Sequence, residues 1–133
     1  VYAKGKNSRE WIYVDDHCDA LLKLFFKGKA GHKYNIGSNI NCSNLDIIKL
    51  ILKTLIKKNI SVGSKVKIKF VKDRPGHDFR YALNSKKIKK TLKWKPKINL
   101  SKGISKTVEW YINNKNFFSK ISKKLFVKRL GIK

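Results

Sequence analysis

The sequence predicts an α/β or α+β fold in which short strands are mixed with helices. Three observations point there. Apolar residues recur three and four apart in four stretches, and short β-prone runs lie between those stretches. The chain has 133 residues, enough for one compact domain and too few for two ordinary ones. Hydrophobic residues make up 41% and aromatics 11%, which supplies a core and argues against wholesale disorder.

The elements follow in chain order. Trp11–Val14 is β-prone and leads into Asp15 and Asp16, a pair suited to capping a helix. That helix is expected to reach about Lys27, with Cys18, Leu21, Leu22, Phe25 and Phe26 on its core face. Glycines and lysines between Lys27 and Gly31 suit its C-terminal end. Lys33–Ile36 reads as a strand stopped by Gly37. Asn44 caps a helix to about Lys58, with Leu45, Ile48, Leu52 and Leu55 on one face and Ile47 and Ile51 widening it. Val66–Val71 alternates apolar residues with lysine, the period of a half-buried strand. Pro75-Gly76 marks a turn, because proline fixes one φ and glycine permits a positive one after it. Ser85–Leu92 is a short basic helix with Trp94-Lys95-Pro96 as a rigid exit. Ser101 caps a helix to about Asn114, its face set by Ile104, Val108, Tyr111 and Ile112. From Asn116 onward a weaker helical pattern carries a lysine cluster.

Several classes fall away. No apolar run approaches the ~20 residues that span a bilayer, and without an apolar h-region near the start no secretory signal is expected. Cys18 and Cys42 form neither a metal-spaced cluster nor a disulfide framework, so a cytoplasmic home is expected. Methionine is absent altogether, so we expect a piece of a longer chain. The net charge of +25 raises nucleic-acid binding as a second reading. Yet 29 of the 33 basic residues are lysines scattered along the chain, and only Arg9, Arg74, Arg80 and Arg129 are arginines. Lys, Ile, Asn and Phe share A/T-rich codons, so drift in an A/T-rich genome accounts for the charge without a nucleic-acid partner.

Chemistry is sparse. There is no G-x-G-x-x-G and no Walker loop. Tyr2 with Lys6 and Tyr111 with Lys115 match Tyr-x-x-x-Lys at the frequency chance allows. His17 and His32 read as structural or solvated, and Asp15, Asp16 and Asp19 as capping and dipole-compensating residues. Two segments stand out, Asn7–His17 and Asp73–Tyr81, each presenting an arginine at a strand or turn edge.

Together with Tyr34-Asn35-Ile36-Gly37, these segments resemble the C-terminal part of the dTDP-glucose 4,6-dehydratases, extended short-chain dehydrogenases/reductases. Arg9-Glu10-Trp11, Tyr13-Val14-Asp15-Asp16-His17, Gly31–Gly37, Asn44–Ile47 and above all Lys72–Tyr81 carry the likeness. Leu92–Pro96 and Gly103–Tyr111 continue it over residues 1–115, with 116–133 as a basic helical tail. Glu10 and Ser38 depart from the usual Asp and Gly, and the tail after Phe117 lacks a Tyr often found there. Nucleotide-sugar epimerases share part of the pattern and remain an alternative.

The resemblance implies a substrate-binding part of an extended Rossmann-type enzyme acting on a dTDP-sugar. That enzyme would use NAD for oxidation at C4, loss of water across C5–C6 and reduction at C6. The NAD site and the catalytic residues would belong to the N-terminal part, through which the full-length enzyme would form a homodimer. On the resemblance, Arg9 and Arg74 would grip the diphosphate, Asn35 would donate a neutral hydrogen bond nearby and His77 would complete the pocket. It also sets Lys33–Ile36 at the edge of a sheet whose other strands are missing, beside an unusually large exposed apolar surface.

Overall fold

Two short strands, β1 (Ser8–Glu10) and β2 (Asn41–Ser43), pair antiparallel with Arg9 opposite Cys42. The structure, a computed structural model, describes residues 1–61 and 66–119. Around the strands lie α1 (Val14–Lys27), α2 (Asn44–Lys57), α3 (Lys86–Leu92), α4 (Leu100–Asn113) and α5 (Asn116–Ser119). The result is a mixed α/β domain, mostly helical, with one small antiparallel sheet among the described residues. Among those residues no helix is long and apolar enough to cross a membrane.

α2 forms as its pattern predicts, one residue off at the cap. Ser43 is the N-cap, and its hydroxyl accepts the Asp46 N–H at 3.1 Å while donating to the Asp46 carboxylate at 2.6 Å. Its apolar stripe packs against α4 with Ile47 buried, while Ile56 near its end is exposed. α4 starts earlier than expected because Asn99, rather than Ser101, caps it by accepting the Lys102 N–H at 2.9 Å. Gly103 and Val108 are buried, whereas Tyr111, expected on the core face, is half exposed. α3 matches its expected span and buries Ile88.

α1 overturns the expected face. Leu21, Leu22, Phe25 and Phe26 lie in solvent, and the buried residues are Asp16 and Ala20. Nor do Asp15 and Asp16 cap it, since Tyr13 is the N-cap and makes no side-chain cap bond. The physical reason is a pair of carboxylate clamps. Asp16 accepts the backbone N–H groups of Lys97 and Ile98, both at 2.9 Å, and Asp19 accepts the indole N–H of Trp94 at 3.0 Å. These bonds fasten the 94–98 segment to one side of α1. The core therefore centres on Ala20, Ile88 and Trp94, ringed by Ile12, Leu24, Tyr34, Ile36 and Leu92.

Three expected strands do not form. Trp11–Val14 lies just past β1, with the Trp11 indole N–H donating to the Cys42 carbonyl at 3.3 Å and Val14 opening α1. Lys33–Ile36 has no ladder partner among the described residues, and side chains serve its polar groups instead. Lys87 donates to the Lys33 carbonyl at 2.8 Å, while Tyr34 and Ile36 pack on the core. Among the described residues Val66–Val71 has Val1–Ala3 beside it and pairs through a single bridge between Tyr2 and Val71. From Lys120 the expected basic tail lies outside the described residues.

Candidate nucleotide-sugar diphosphate site

The free edge of β1 carries the site. The Ser8 N–H donates to the Phe79 carbonyl at 2.8 Å and the Tyr81 N–H to the Ser8 carbonyl at 3.1 Å. A parallel bridge between Ser8 and Arg80 results, and it lays the 73–81 segment alongside Arg9. The turn before it is built locally. Asp73 accepts the Arg74 N–H at 2.9 Å, and Gly76 takes φ +66°, a region where glycine carries no steric cost.

Arg9 is held on three sides. Its Nη1 donates to the Ser8 carbonyl at 2.7 Å, its Nη2 to the Asp78 carbonyl at 2.8 Å, and its guanidinium lies 4.6 Å from the Tyr81 ring centroid. The Tyr81 hydroxyl donates to the Asp78 carboxylate. That bond, together with the charge of Asp78, pushes the Tyr81 hydroxyl above its ordinary pKa of 10.0, while Arg9 and Arg74 both pull it back. Of the two arginines, Arg9 is the one in contact with Tyr81, and Arg74 is fixed at the turn through its backbone N–H to Asp73.

The remaining expected residues serve the frame. The His77 side chain is 5% exposed, and its Nδ1 bonds Asp73 at 2.7 Å and lies 3.4 Å from the Asn7 amide. This bond to His77 holds the Asp73 carboxyl below its ordinary 3.8, opposed by burial and aided by the Arg74 N–H and nearby positive charge. Asn35 donates to the Asn84 carbonyl at 3.3 Å, so its amide joins the 33–36 segment to the start of α3. Glu10, next after Arg9, accepts the N–H groups of Leu83, at 2.7 Å, and of Asn39, so it ties three segments together.

Asn7, Asp78 and Tyr81 were not singled out by sequence as site residues. Asn7 is buried, donates to the Asp78 carbonyl at 3.3 Å and, through its own carbonyl, accepts the Asn44 N–H at 3.0 Å. The Asp78 carbonyl thus collects both Asn7 and Arg9. The spacing of Asp78 and Tyr81 within one turn-like segment was the available signal. A cavity of about 540 Å³ lies elsewhere, between Trp11–Asp15 and α4, and none of Arg9, Asn35, Arg74 or His77 lines it. Among the described residues no three His, Cys, Asp or Glu side chains are grouped to hold a metal. Nor do they make a dinucleotide cradle: Gly5, Gly31 and Gly76 take positive φ singly, and the N-caps of the four long helices are Tyr13, Ser43, Ser85 and Asn99.

Known proteins are similar to this chain in sequence and fold. The family described as GDP-mannose 4,6 dehydratase matches residues 1–107. A dTDP-glucose 4,6-dehydratase of Escherichia coli is 38% identical over 138 residues, covering 99% of this chain and 38% of its own length. A crystal structure of dTDP-glucose 4,6-dehydratase from Bacillus anthracis, in complex with NAD, superposes with a TM-score of 0.80 at 35% identity, over 92% of this chain and 37% of its own. A UDP-glucose 4-epimerase from Thermotoga maritima, with UDP-glucose, gives a TM-score of 0.74 at 26% identity, over 85% of this chain and 34% of its own. The chain thus spans little more than a third of the length of these relatives.

Proposed function

We propose a function from one premise: the chain belongs to the GDP-mannose 4,6 dehydratase family, within the extended short-chain dehydrogenases/reductases. In our reading, residues 1–115 are the C-terminal, substrate-binding part of an NAD-dependent dTDP-glucose 4,6-dehydratase, a lyase, and residues 116–133 are a basic tail. In this reading NAD and the redox steps belong to the part of the enzyme that this chain does not span. The contribution of residues 1–115 is to bind and orient a dTDP-sugar. Arg9 and Arg74 clamp the diphosphate and His77 holds the 73–81 segment from behind, while the Asn35 amide is engaged by the Asn84 carbonyl.

The supporting observation is the fixed Arg9 guanidinium, stacked 4.6 Å from the Tyr81 ring centroid and bonded to the Asp78 carbonyl of the 73–81 segment that also carries Arg74. Two of the five N–H donors of Arg9 are taken by the Ser8 and Asp78 carbonyls, which fixes the plane of the fork. Its remaining donors, with those of Arg74, suit the paired oxygens of a diphosphate. Such a grip on the remote nucleotide positions the sugar for chemistry carried elsewhere. A scatter of lysines has no comparable geometry.

Calorimetric titration of dTDP into the chain tests the reading. Arg74→Lys keeps the charge but loses the fork, so it should weaken binding by about 1–3 kcal/mol. Lys90→Ala, on the exposed face of α3, should cost far less. Equal losses would remove the clamp. Tighter binding of UDP than dTDP would favour the epimerase branch, and salt-steep DNA binding without dTDP affinity would favour a basic module.

A further inference from the structure

We propose that Tyr81 is a positioning residue of the diphosphate site, its ring supporting the Arg9 guanidinium and its hydroxyl keeping the Asp78 carboxylate off that guanidinium. The inference rests on the diphosphate reading above and names the side chain that keeps the fork aimed and open to an anion.

The ring is half exposed, at 51%, yet every polar group of Tyr81 is engaged. Its N–H donates to the Ser8 carbonyl at 3.1 Å, its carbonyl accepts the Asn41 side-chain N–H at 2.6 Å, and its hydroxyl donates to the Asp78 carboxylate. Ser8 stands in β1 and Asn41 in β2, so both strands of the sheet hold this one residue. Ordering an exposed aromatic costs conformational entropy, and packing in a core does not repay it here. What the order achieves is a platform: the guanidinium lies over the ring, 4.6 Å from its centroid, where the π face attracts a cation. The Ser8 carbonyl accepts both the Tyr81 N–H and Arg9 Nη1, the latter at 2.7 Å, so platform and fork share an anchor.

The hydroxyl has a separate task. β1 and the 73–81 segment carry three acids, Glu10, Asp73 and Asp78. Glu10 accepts the Asn39 and Leu83 N–H groups, and Asp73 bonds His77 and the Arg74 N–H. Asp78 differs from both, because its own carbonyl already accepts Arg9 Nη2 at 2.8 Å. Its carboxylate therefore lies within a side-chain rotation of the guanidinium, where it would form an ion pair that an incoming diphosphate has to displace. The phenol holds it away by donating to it. A phenol has one proton, and with that proton given to Asp78 the hydroxyl is no donor to the ligand. Its effect on binding is exerted through Asp78 and Arg9.

Calorimetric titration of dTDP into the 133-residue chain and its Tyr81 variants is the test. Tyr81→Phe keeps the platform and frees the carboxylate, so affinity should fall about threefold. Asp78→Asn in the same chain should restore the wild-type affinity or better it, since a neutral amide does not pair with the guanidinium. Tyr81→Leu removes the ring as well, and its loss of about fivefold should persist with Asp78→Asn. In an Arg9→Ala background neither Tyr81 substitution should weaken binding further. Should Tyr81→Leu fail to fold, the Tyr81→Phe and Asp78→Asn pair decides. A Tyr81→Phe loss that Asp78→Asn leaves in place would make the phenol a direct ligand and overturn the proposal. Losses that add to that of Arg9→Ala would overturn it too. A wild-type chain that takes up no dTDP would remove the diphosphate reading and this role with it. Binding that falls with Arg74→Lys but is indifferent to Tyr81→Phe would remove this role alone.

Discussion

Gly37→Ala should destabilise the chain through a residue it never bonds. Gly37 is buried, and a Cβ built on it would lie 2.9 Å from Glu10 Cδ and 3.2 Å from Oε2, with Oε1 closer still. A free glutamate could swing away, but this carboxylate is anchored by the Asn39 and Leu83 N–H groups. Making room means giving up at least one of two charge-assisted bonds, each worth about 1.5 kcal/mol at a partly exposed site. Against that loss, alanine gains about 0.5–1 kcal/mol by restricting the unfolded backbone. The net cost is about 1–2.5 kcal/mol, a fall of roughly 1 M in urea midpoint for a domain of this size. The decisive assay is a double-mutant cycle by urea denaturation. In a Glu10→Ala background the obstacle is gone, so Gly37→Ala should become neutral or stabilising, with a coupling of about 2 kcal/mol. Additive costs would refute the argument and place the penalty in the Gly37 backbone.

Three further outcomes follow from the same contacts. Asp16→Ala strands the Lys97 and Ile98 N–H groups and should cost about 3–5 kcal/mol in urea denaturation, while Asp16→Asn, which keeps one acceptor, should cost about half. Tyr81 favours its protonated form in the fold, so its contribution is fully present below pH 10.0 and is lost as pH rises through the raised folded value. In ultraviolet titration Asp78→Asn should bring this tyrosine down and Arg9→Ala should push it higher; a tyrosine blind to Arg9→Ala would count against the guanidinium stacked on its ring. Asp73 has a depressed folded value, so its contribution is full above pH 3.8 and is lost as pH falls through that lower value. Stability curves of wild type and Asp73→Asn should therefore differ at neutral pH and converge in acid, and a constant gap down to pH 2 would count against the His77 bond.

What the sequence made legible is what local physics decides. α2 has a Ser43–Asp46 cap and an apolar stripe on one side, and both survive in the fold. The Pro75-Gly76 turn is likewise a local property, and Gly76 takes its positive φ. α1 shows the limit, because periodicity marks an apolar side without saying what covers it. The covered side was decided by two carboxylates reaching the backbone and indole of a segment some 80 residues away. Lys33–Ile36 and Val66–Val71 have strand composition, but a strand also needs a partner edge, which a propensity cannot supply. At the site, the arginines and their segments could be read from pattern. The inward turn of His77 could not, because it depends on Asp73 and on Asn7, 70 residues distant.

The acidic residues explain how a chain of net charge +25 can still build a specific site. All eight lie among the described residues, and seven accept from an identified donor. Only two of those pairings are with lysine ammonium groups, Lys58 with Glu109 and Lys97 with Asp19. The others meet backbone N–H groups, hydroxyls, an indole and an imidazole, where direction matters more than charge. The acids therefore act as fasteners between segments, and the lysine charge is left to solvent, where salt screens it within about 10 Å. Asp78 is the case that bears on function. Its carboxylate is occupied by the Tyr81 hydroxyl and its carbonyl by Asn7 and Arg9, so the one acid beside the arginine fork holds the fork in place without a side-chain ion pair to it. An acid paired directly with Arg9 would compete with an anionic ligand; one that anchors it through a carbonyl leaves the guanidinium charge available to a diphosphate.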